Sequence, residues 1–392
     1  MSFSFAFDIA AAELDDDLAV STASLDQLDI NVSAPPAAST SAVPHRQVPL
    51  DDLLATLPPL LSYTPVTVPL SPTKTTAGGR NATLLRRDLF DARFQVLNQD
   101  ELAADDAVEG KGKQKEEVFI DEHTDLVKGV YEGGLKTWEC SLDLVDCLDQ
   151  RGFAIDAELD TERVRGKGIL EVGCGTAVPS CALFARLLNE IRLKPTAEGA
   201  PAPRKTRIHL QDYNKQVLSL ITLPNLLLTY AQHLASPPRA PEADDEPPAA
   251  AQPGELDVTP EFLASFEDLL ARENVELRFF EGDWAGMDET VRAAGDAFDL
   301  VLTSETVYSV ASLAPLLDLL EAATLAGGDE GDDALCLVAC KRIYFGVGGG
   351  ELEFRRRVEE RGGKVETAWG EGEGKGRSSG VGRTVMSVKW KQ

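Results

Sequence analysis

Residues 168–177 read Gly-Ile-Leu-Glu-Val-Gly-Cys-Gly-Thr-Ala. The first five, Gly168 to Val172, have the length and apolarity of a buried strand. Gly173-Cys174-Gly175 reads as a turn, and Pro179 falls in the first turn of a helix, where its missing N–H costs little. A strand that passes through a glycine turn into a helix is the opening unit of a doubly wound α/β sheet. Gly173 and Gly175 let the backbone bend tightly and let a ligand approach it, with the free N–H groups of the helix N-terminus just beyond. The third glycine of the dinucleotide fingerprint is missing, because Val178 stands three residues after Gly175. Glu171 at the strand end repels a pyrophosphate and suits a ligand with a cationic amino group. Read alone, the segment also fits a plain strand-to-helix turn.

Six more apolar runs bounded by turn residues follow: Arg207 to Gln211, Val275 to Phe280, Phe298 to Thr303, Ala334 to Cys340, Lys364 to Trp369 and Thr384 to Lys389. Helical patterns separate most of them, and a Gly-rich turn joins the last two. Seven strands in this order predict an α/β fold, a Rossmann-like sheet with helices on both faces, spanning residues 118–392. Stretches dense in Pro, Gly, Ala or charge at 194–205, 236–256 and 371–382 read as mobile insertions. Residues 1–117 read as a mostly disordered extension, too poor in sustained apolar pattern to offset chain entropy. Two short docking segments break it: Val48 to Leu61, with a short helix before Pro58, and Leu84 to Leu97.

The 392-residue chain carries 65 Asp and Glu against 38 Lys and Arg, a formal charge of −27. Such a molecule repels a phosphate backbone, so a basic protein is the better-matched partner and direct nucleic-acid binding is not expected. Charge that merely keeps the chain in solution is the plainer alternative. The six cysteines lack the close pairing of a zinc site, so reduced thiols in cytoplasm or nucleus are expected. Met1 to Ala12 has no basic region before its apolar residues, which argues against a signal peptide, and no stretch reads as a membrane span. We expect a monomer.

Carboxylates and aromatics recur where the strands end. Gln211-Asp212-Tyr213-Asn214 closes the second strand, where an acid accepts from the hydroxyls of a ribose; Asp212 also fits a helix N-cap. Glu281-Gly282-Asp283-Trp284 closes the third, where a carboxylate accepts from an adenine amino group and an indole lies against the ring; a turn with a core Trp is the alternative. A glycine turn, a ribose acid and an adenine reader in that order point to one nucleoside-bearing ligand. The fourth strand ends in Thr303-Ser304-Glu305-Thr306-Val307-Tyr308, beside the same crevice if the sheet order reverses at the first strand. Ser304 and Glu305 also suit a helix cap. Upstream, Thr137-Trp138-Glu139-Cys140-Ser141 precedes a helix patterned on Leu142, Val145 and Leu148, so Trp138 is a candidate lid or a hydrophobic plug. Lys341 to Gly350, with Tyr344, Phe345 and a triple glycine, reads as a substrate-facing turn or a flexible lead into a helix near Glu351.

At these residues the chain resembles the eukaryotic histidine protein methyltransferases that modify a histidine of a large-subunit ribosomal protein, a branch of the seven-strand methyltransferases that use S-adenosylmethionine (SAM). The resemblance rests on Leu135-Lys136-Thr137-Trp138-Glu139-Cys140, Gln211-Asp212-Tyr213-Asn214, Ser304-Glu305-Thr306 with Tyr308, and Tyr344 to Gly350. It covers about residues 118–392, plus Met1 to Phe5 and the island ending Leu57-Pro58-Pro59. It implies SAM as cofactor, S-adenosylhomocysteine (SAH) as product, no metal, and a basic, ribosomal protein substrate. It also implies SAM contacts from Thr137, Trp138, Glu139, Cys140, Ser141, Glu171, Gly173, Gln211, Asp212, Tyr213, Gly282, Asp283, Trp284 and Ser304; the glycine turn itself adds Gly175.

Methyl transfer from a sulfonium is an in-line displacement, so the protein's task is to hold the nucleophile at attack distance. A histidine, with reference pKa of about 6.5, is mostly neutral at pH 7, whereas lysine near 10.4 must first lose a proton, at roughly 4–5 kcal/mol. A histidine enzyme needs instead an acceptor for the ring N–H, which fixes the tautomer. Glu305 is the candidate for that role, with Tyr308 and Tyr344 walling the imidazole. A lysine methyltransferase, an RNA or small-molecule methyltransferase and a non-catalytic SAM-binding module stand as rival readings. No Asn-Pro-Pro-Tyr type base clamp follows the fourth strand.

Overall fold

The computed structural model describes residues 43–72, 80–92, 95, 134–155, 162–197, 199, 201–236, 251–295, 298–325, 334–345, 348–370 and 381–390. All seven expected strands form, with ends shifted by at most two residues: β4 (Gly168–Val172), β5 (Thr206–Asp212), β7 (Val275–Glu281), β8 (Leu300–Ser304), β9 (Leu335–Lys341), β10 (Lys364–Gly370) and β11 (Arg383–Lys389). The sheet has eight strands rather than seven, because β1 (Arg46–Val48) adds antiparallel to the β7 edge. Three residues are too few to show a period, and Arg46 is held in register by an ion pair with the buried Glu281. The order is β1-β7-β5-β4-β8-β9-β11-β10. The five central strands are parallel, and β11 inserts antiparallel between β9 and β10. From β4 the chain order runs outward in both directions, so the crevice at its C-terminal end is the topological switch point.

Alternation along the central strands sorts the core into two layers. Ile169, Ile208, Leu210, Leu300 and Leu302 pack against α2 (Glu139–Leu148), α3 (Val178–Leu193), α4 (Lys215–Ala235) and α5 (Pro260–Arg272). Leu170, Val172, Val301 and Val338 pack against α6 (Met287–Ala294), α7 (Leu313–Leu325) and α8 (Glu351–Glu360). The expectation that no stretch suits a membrane needs correction: α4 is long and apolar enough to cross one, yet 72% of its most apolar window is buried in this fold.

Within the extension expected to be mostly disordered, residues 43–72 and 80–92 are built into the domain. β2 (Leu60–Leu70) pairs antiparallel with β3 (Arg80–Arg87) on one side and β6 (Gly254–Asp257) on the other, a separate three-stranded sheet. Val68, Leu70 and Leu84 join the core of α2 and α3. Buried Arg87 donates from Nη1 to Leu220 O (2.9 Å), from Nε to Asp91, and from its backbone N–H to Asn225 Oδ1 (2.8 Å). Arg80 pairs with Asp149, and Ser71 with Asp146. Of the expected docking segments, Val48–Leu61 holds α1 (Leu50–Leu54) and the start of β2, and Leu84 lies in β3. Pro65 and Pro69 hide β2 from a sequence pattern. They fall beyond Tyr63, where pairing with β6 ends and an open edge tolerates a residue without N–H.

The insertions are also more tied than expected. Residues 194–205 are fastened by Arg165, which donates to Lys194 O and Thr196 Oγ1 (2.6 Å each), and by Asn274 donating to Pro203 O (2.8 Å). Gly254 to Leu256, placed in the second insertion, belong to β6; residues 237–250 and 371–380 lie outside the described residues, as do Met1 to Ala12.

Candidate active site

The turn after β4 is left-handed at Gly173 (φ +63°), Gly175 (φ +51°) and Ala177 (φ +51°). Both glycines also meet close neighbours, which leave no room for a side chain at Gly173 and a tight fit at Gly175. A Cβ on Gly173 would sit 2.5 Å from Thr306 Cγ2, and one on Gly175 would sit 3.2 Å from Gly134 O. The loop after β8 and the strap before α2 therefore both lie against the turn. Behind it, fully buried Glu171 accepts through Oε2 from Ser180 N (3.0 Å) and Ser180 Oγ, capping α3, while Oε1 has no partner. Burial pushes its carboxyl up to about 8, with Asp212 adding in the same direction and the Ser180 donors opposing.

Gln211, a SAM contact by the resemblance, has an internal role in this structure. Its side chain is fully buried and every polar atom is engaged: Oε1 accepts from Gly173 N (3.1 Å) and Trp284 Nε1 (2.8 Å), and Nε2 donates to Gly282 O (2.8 Å). One amide thus ties the ends of β4, β5 and β7 together. Beside it Asp212 accepts from Gly175 N through Oδ2 (3.0 Å) and from Asn214 N through Oδ1 (3.2 Å). Tyr213 contributes its carbonyl to Gly282 N (3.1 Å). Gly282 must be glycine, because a Cβ there would meet Pro44 O at 2.5 Å, where the chain leading into β1 passes. Asp283 binds that same segment through its N–H to Val43 O (2.8 Å), and its Oδ1 accepts locally from Ala285 N (2.8 Å). Trp284 packs against the α6–α7 layer with its ring 3.8 Å from the Cβ position of Gly173.

On the strap, Thr137 Oγ1 lies 3.3 Å from Thr176 Oγ1 at the start of the α3 turn, and Ser141 closes a local turn onto Trp138 O. Trp138 has two cations against its ring, with Lys136 Nζ 5.3 Å and Lys341 Nζ 4.8 Å from the centroid. That Lys341 ammonium, at the end of β9, is 3.7 Å from Glu139 Oε2 and 3.8 Å from Glu305 Oε1. Glu305 adopts φ +57°, and its Oε2 accepts from Tyr344 Oη at 2.5 Å, while Tyr344 Oη accepts from Lys341 N at 3.2 Å. Burial, then the Glu305 carboxylate, raises the Tyr344 phenol far above its ordinary value; burial does the same to Cys140, which lies beneath. The Tyr308 and Tyr344 rings meet edge to face at 6.3 Å. Ser304 ends β8, and Thr306 donates to Thr303 Oγ1, whose own proton goes to Val172 O.

The triple glycine is a fastening rather than a loose lead into α8. Gly349 N donates to Tyr308 O and Gly350 N to Val307 O, and a Cβ on Gly349 would lie 2.3 Å from both carbonyls. The expected residues thus form two adjoining groups. Glu171, Gly173, Gly175, Gln211, Asp212, Trp284 and Thr137 surround the glycine turn, and Trp138, Glu139, Cys140, Glu305 and Tyr344 surround Lys341, with Tyr308 against Tyr344. Asp283 uses Oδ1 in a local turn onto Ala285 N. Sequence reasoning named Lys341 only as the start of a loop, gave Thr306 no role beyond its motif, and gave Thr176 none. Among the described residues no His, Cys, Asp and Glu group is placed to hold a metal ion.

No protein-family model matches the chain. It is 34% identical over 314 residues to Histidine protein methyltransferase 1 of Schizosaccharomyces pombe, covering 79% of this chain and 76% of that protein. It is 32% identical over 285 residues to Histidine protein methyltransferase 1 of Saccharomyces cerevisiae, covering 71% and 69%. It is 34% identical over 247 residues to the Histidine protein methyltransferase 1 homolog of Bos taurus, covering 61% of this chain and 52% of that one. Among solved structures, a SAM dependent methyltransferase from Aquifex aeolicus aligns over 64% of this chain and 94% of its own, at 11% identity and a TM-score of 0.28.

Proposed function

Since the chain belongs to the histidine protein methyltransferase family, we propose that it methylates a ring nitrogen of a histidine, using SAM, on a basic protein of the large ribosomal subunit in cytoplasm or nucleus. The residues present fit that donor. Glu171 keeps one buried oxygen without a partner behind the glycine turn, where an ammonium would compensate it, and Asp212 and Trp284 border the same turn. When bound, SAM supplies a methyl group on a cationic sulfur, so the chain's own part is to bind, align and exclude water.

The observation that carries the histidine reading is the group Glu305, Tyr344 and Lys341. Tyr344 fixes one oxygen of the Glu305 carboxylate, and the other, Oε1, is buried without a hydrogen bond. An oxygen in that state suits the N–H of a neutral imidazole, whose other nitrogen then carries the attacking lone pair. The resident Lys341 ammonium already offsets the charge of Glu305 and Glu139. A second ammonium from a lysine acceptor meets like charge there, and would in addition have to shed a proton. Formal charge of −27 supports a strongly basic protein as the partner.

The test is incubation of the purified chain with radiolabelled SAM and a cell extract lacking the activity, followed by amino-acid analysis of the labelled protein. Methylhistidine in one basic ribosomal band is the expected result. Methyllysine would overturn the acceptor, and SAH binding without any labelled protein would point to a non-catalytic module. Glu305→Gln should lower kcat at least tenfold with SAH affinity unchanged.

A further inference from the structure

β3 ends with two arginines that point to opposite faces. Arg87 is consumed inside the fold, as described above. Arg86 is half-buried, and its one contact is Nη1 to Thr137 Oγ1 at 3.5 Å, at the long limit for such a bond. Its Nε is buried with no partner, and no carboxylate of the described residues pairs with it. Thr137 in turn leans on Thr176, the residue after Gly175, so Thr137 stands between this guanidinium and the glycine turn.

The other cations near the crevice are engaged: Lys341 lies between two carboxylates, and Lys136 stacks on Trp138. At the turn itself Asp212 accepts from Gly175 N, and the buried Glu171 lies behind it. The amino-acid end of SAM or SAH presents an ammonium, which suits Asp212, and a carboxylate, which Asp212 repels and which requires a cation. A planar guanidinium with unmet donors is the side chain best shaped for a carboxylate.

Resting on the reading of SAM as the donor, we infer that Arg86 binds the carboxylate of its amino-acid end, so that the N-terminal three-stranded sheet completes the cofactor site. The test is a binding cycle by calorimetry, with SAH and decarboxylated SAH titrated into the full chain and into Arg86→Gln and Arg86→Lys. The wild type should bind SAH about 10- to 100-fold more tightly than the decarboxylated compound. Arg86→Gln should lose that factor for SAH and bind the decarboxylated compound unchanged, and Arg86→Lys, which keeps the charge, should recover part of it. Unchanged SAH binding by Arg86→Gln would overturn the assignment. Equal weakening of both compounds would also overturn it, by making Arg86 a structural residue. A wild type that binds neither compound would remove the donor reading itself, and this assignment with it.

Discussion

Replacing Gln211 by alanine deletes a side chain that no solvent reaches and that closes three hydrogen bonds, to Gly173 N, Trp284 Nε1 and Gly282 O, at 2.8–3.1 Å. Leaving a buried polar partner unmet costs about 1–3 kcal/mol each. Gly173 and Trp284 are half-buried, so water can reach them in part, and Gly282 is buried. Values at the lower end for the first two and in the middle for the third, with a small cavity contribution, sum to about 4–6 kcal/mol. Against a total of about 5–15 kcal/mol for an ordinary domain, that is a large fraction. The assay is urea unfolding of wild type and Gln211→Ala with and without saturating SAH, alongside SAH affinity by calorimetry. Stability and affinity should fall together, because one amide sets the mutual placement of three strand ends. A Gln211→Ala chain within about 0.5 kcal/mol of wild-type stability that has lost SAH binding would refute this reasoning. It would make Gln211 a direct ligand contact, as the resemblance alone implies.

Gly173→Ala should cost about 2–4 kcal/mol, from a left-handed backbone and the clash with Thr306 Cγ2. Adding Thr306→Ser, which removes that methyl and keeps the hydroxyl, should return the steric part in a double-mutant cycle; strict additivity would count against the contact. Glu171, held up to about 8 from an ordinary value of 4.5, retains its proton in the folded chain where the unfolded chain has lost it. Its contribution to stability is therefore complete below pH 4.5 and is lost as pH rises through 8. The difference in unfolding free energy between wild type and Glu171→Gln should accordingly shrink between pH 5 and 8.5, and a flat difference would contradict the raised value. Raising salt from about 50 to 300 mM should increase KM for the protein substrate severalfold, since charge that steers a basic partner is screened; a salt-independent KM would remove electrostatic recruitment.

How legible the protein was depends on the range of the interaction concerned. The glycine turn was readable because strand, turn and helix lie within ten residues and each imposes its own local constraint, seen at Gly173, Gly175 and Pro179. Glu305 and Tyr344 were singled out separately, each at a strand end, although nothing in a linear pattern says that one phenol will hold one carboxylate across a gap of 39 residues. Residues 43–72 and 80–92 were not legible as ordered because β2 carries two prolines and its apolar residues pack on helices that begin after residue 138. Composition measures what a segment can bury by itself, and β2 and β3 bury themselves against the rest of the chain.

By itself, then, the sequence determined the seven main strands, the glycine turn and the chemistry offered at each strand end, because period, turn residues and side-chain type act over a few positions. Only the tertiary structure decided that Gln211 clamps the strand ends, that β1 extends the sheet, that Arg86 leans on Thr137, and that Lys341 sits between Glu139 and Glu305. Those outcomes depend on which distant segments cross at one place, and burial makes each unmet polar atom there costly enough to select its partner.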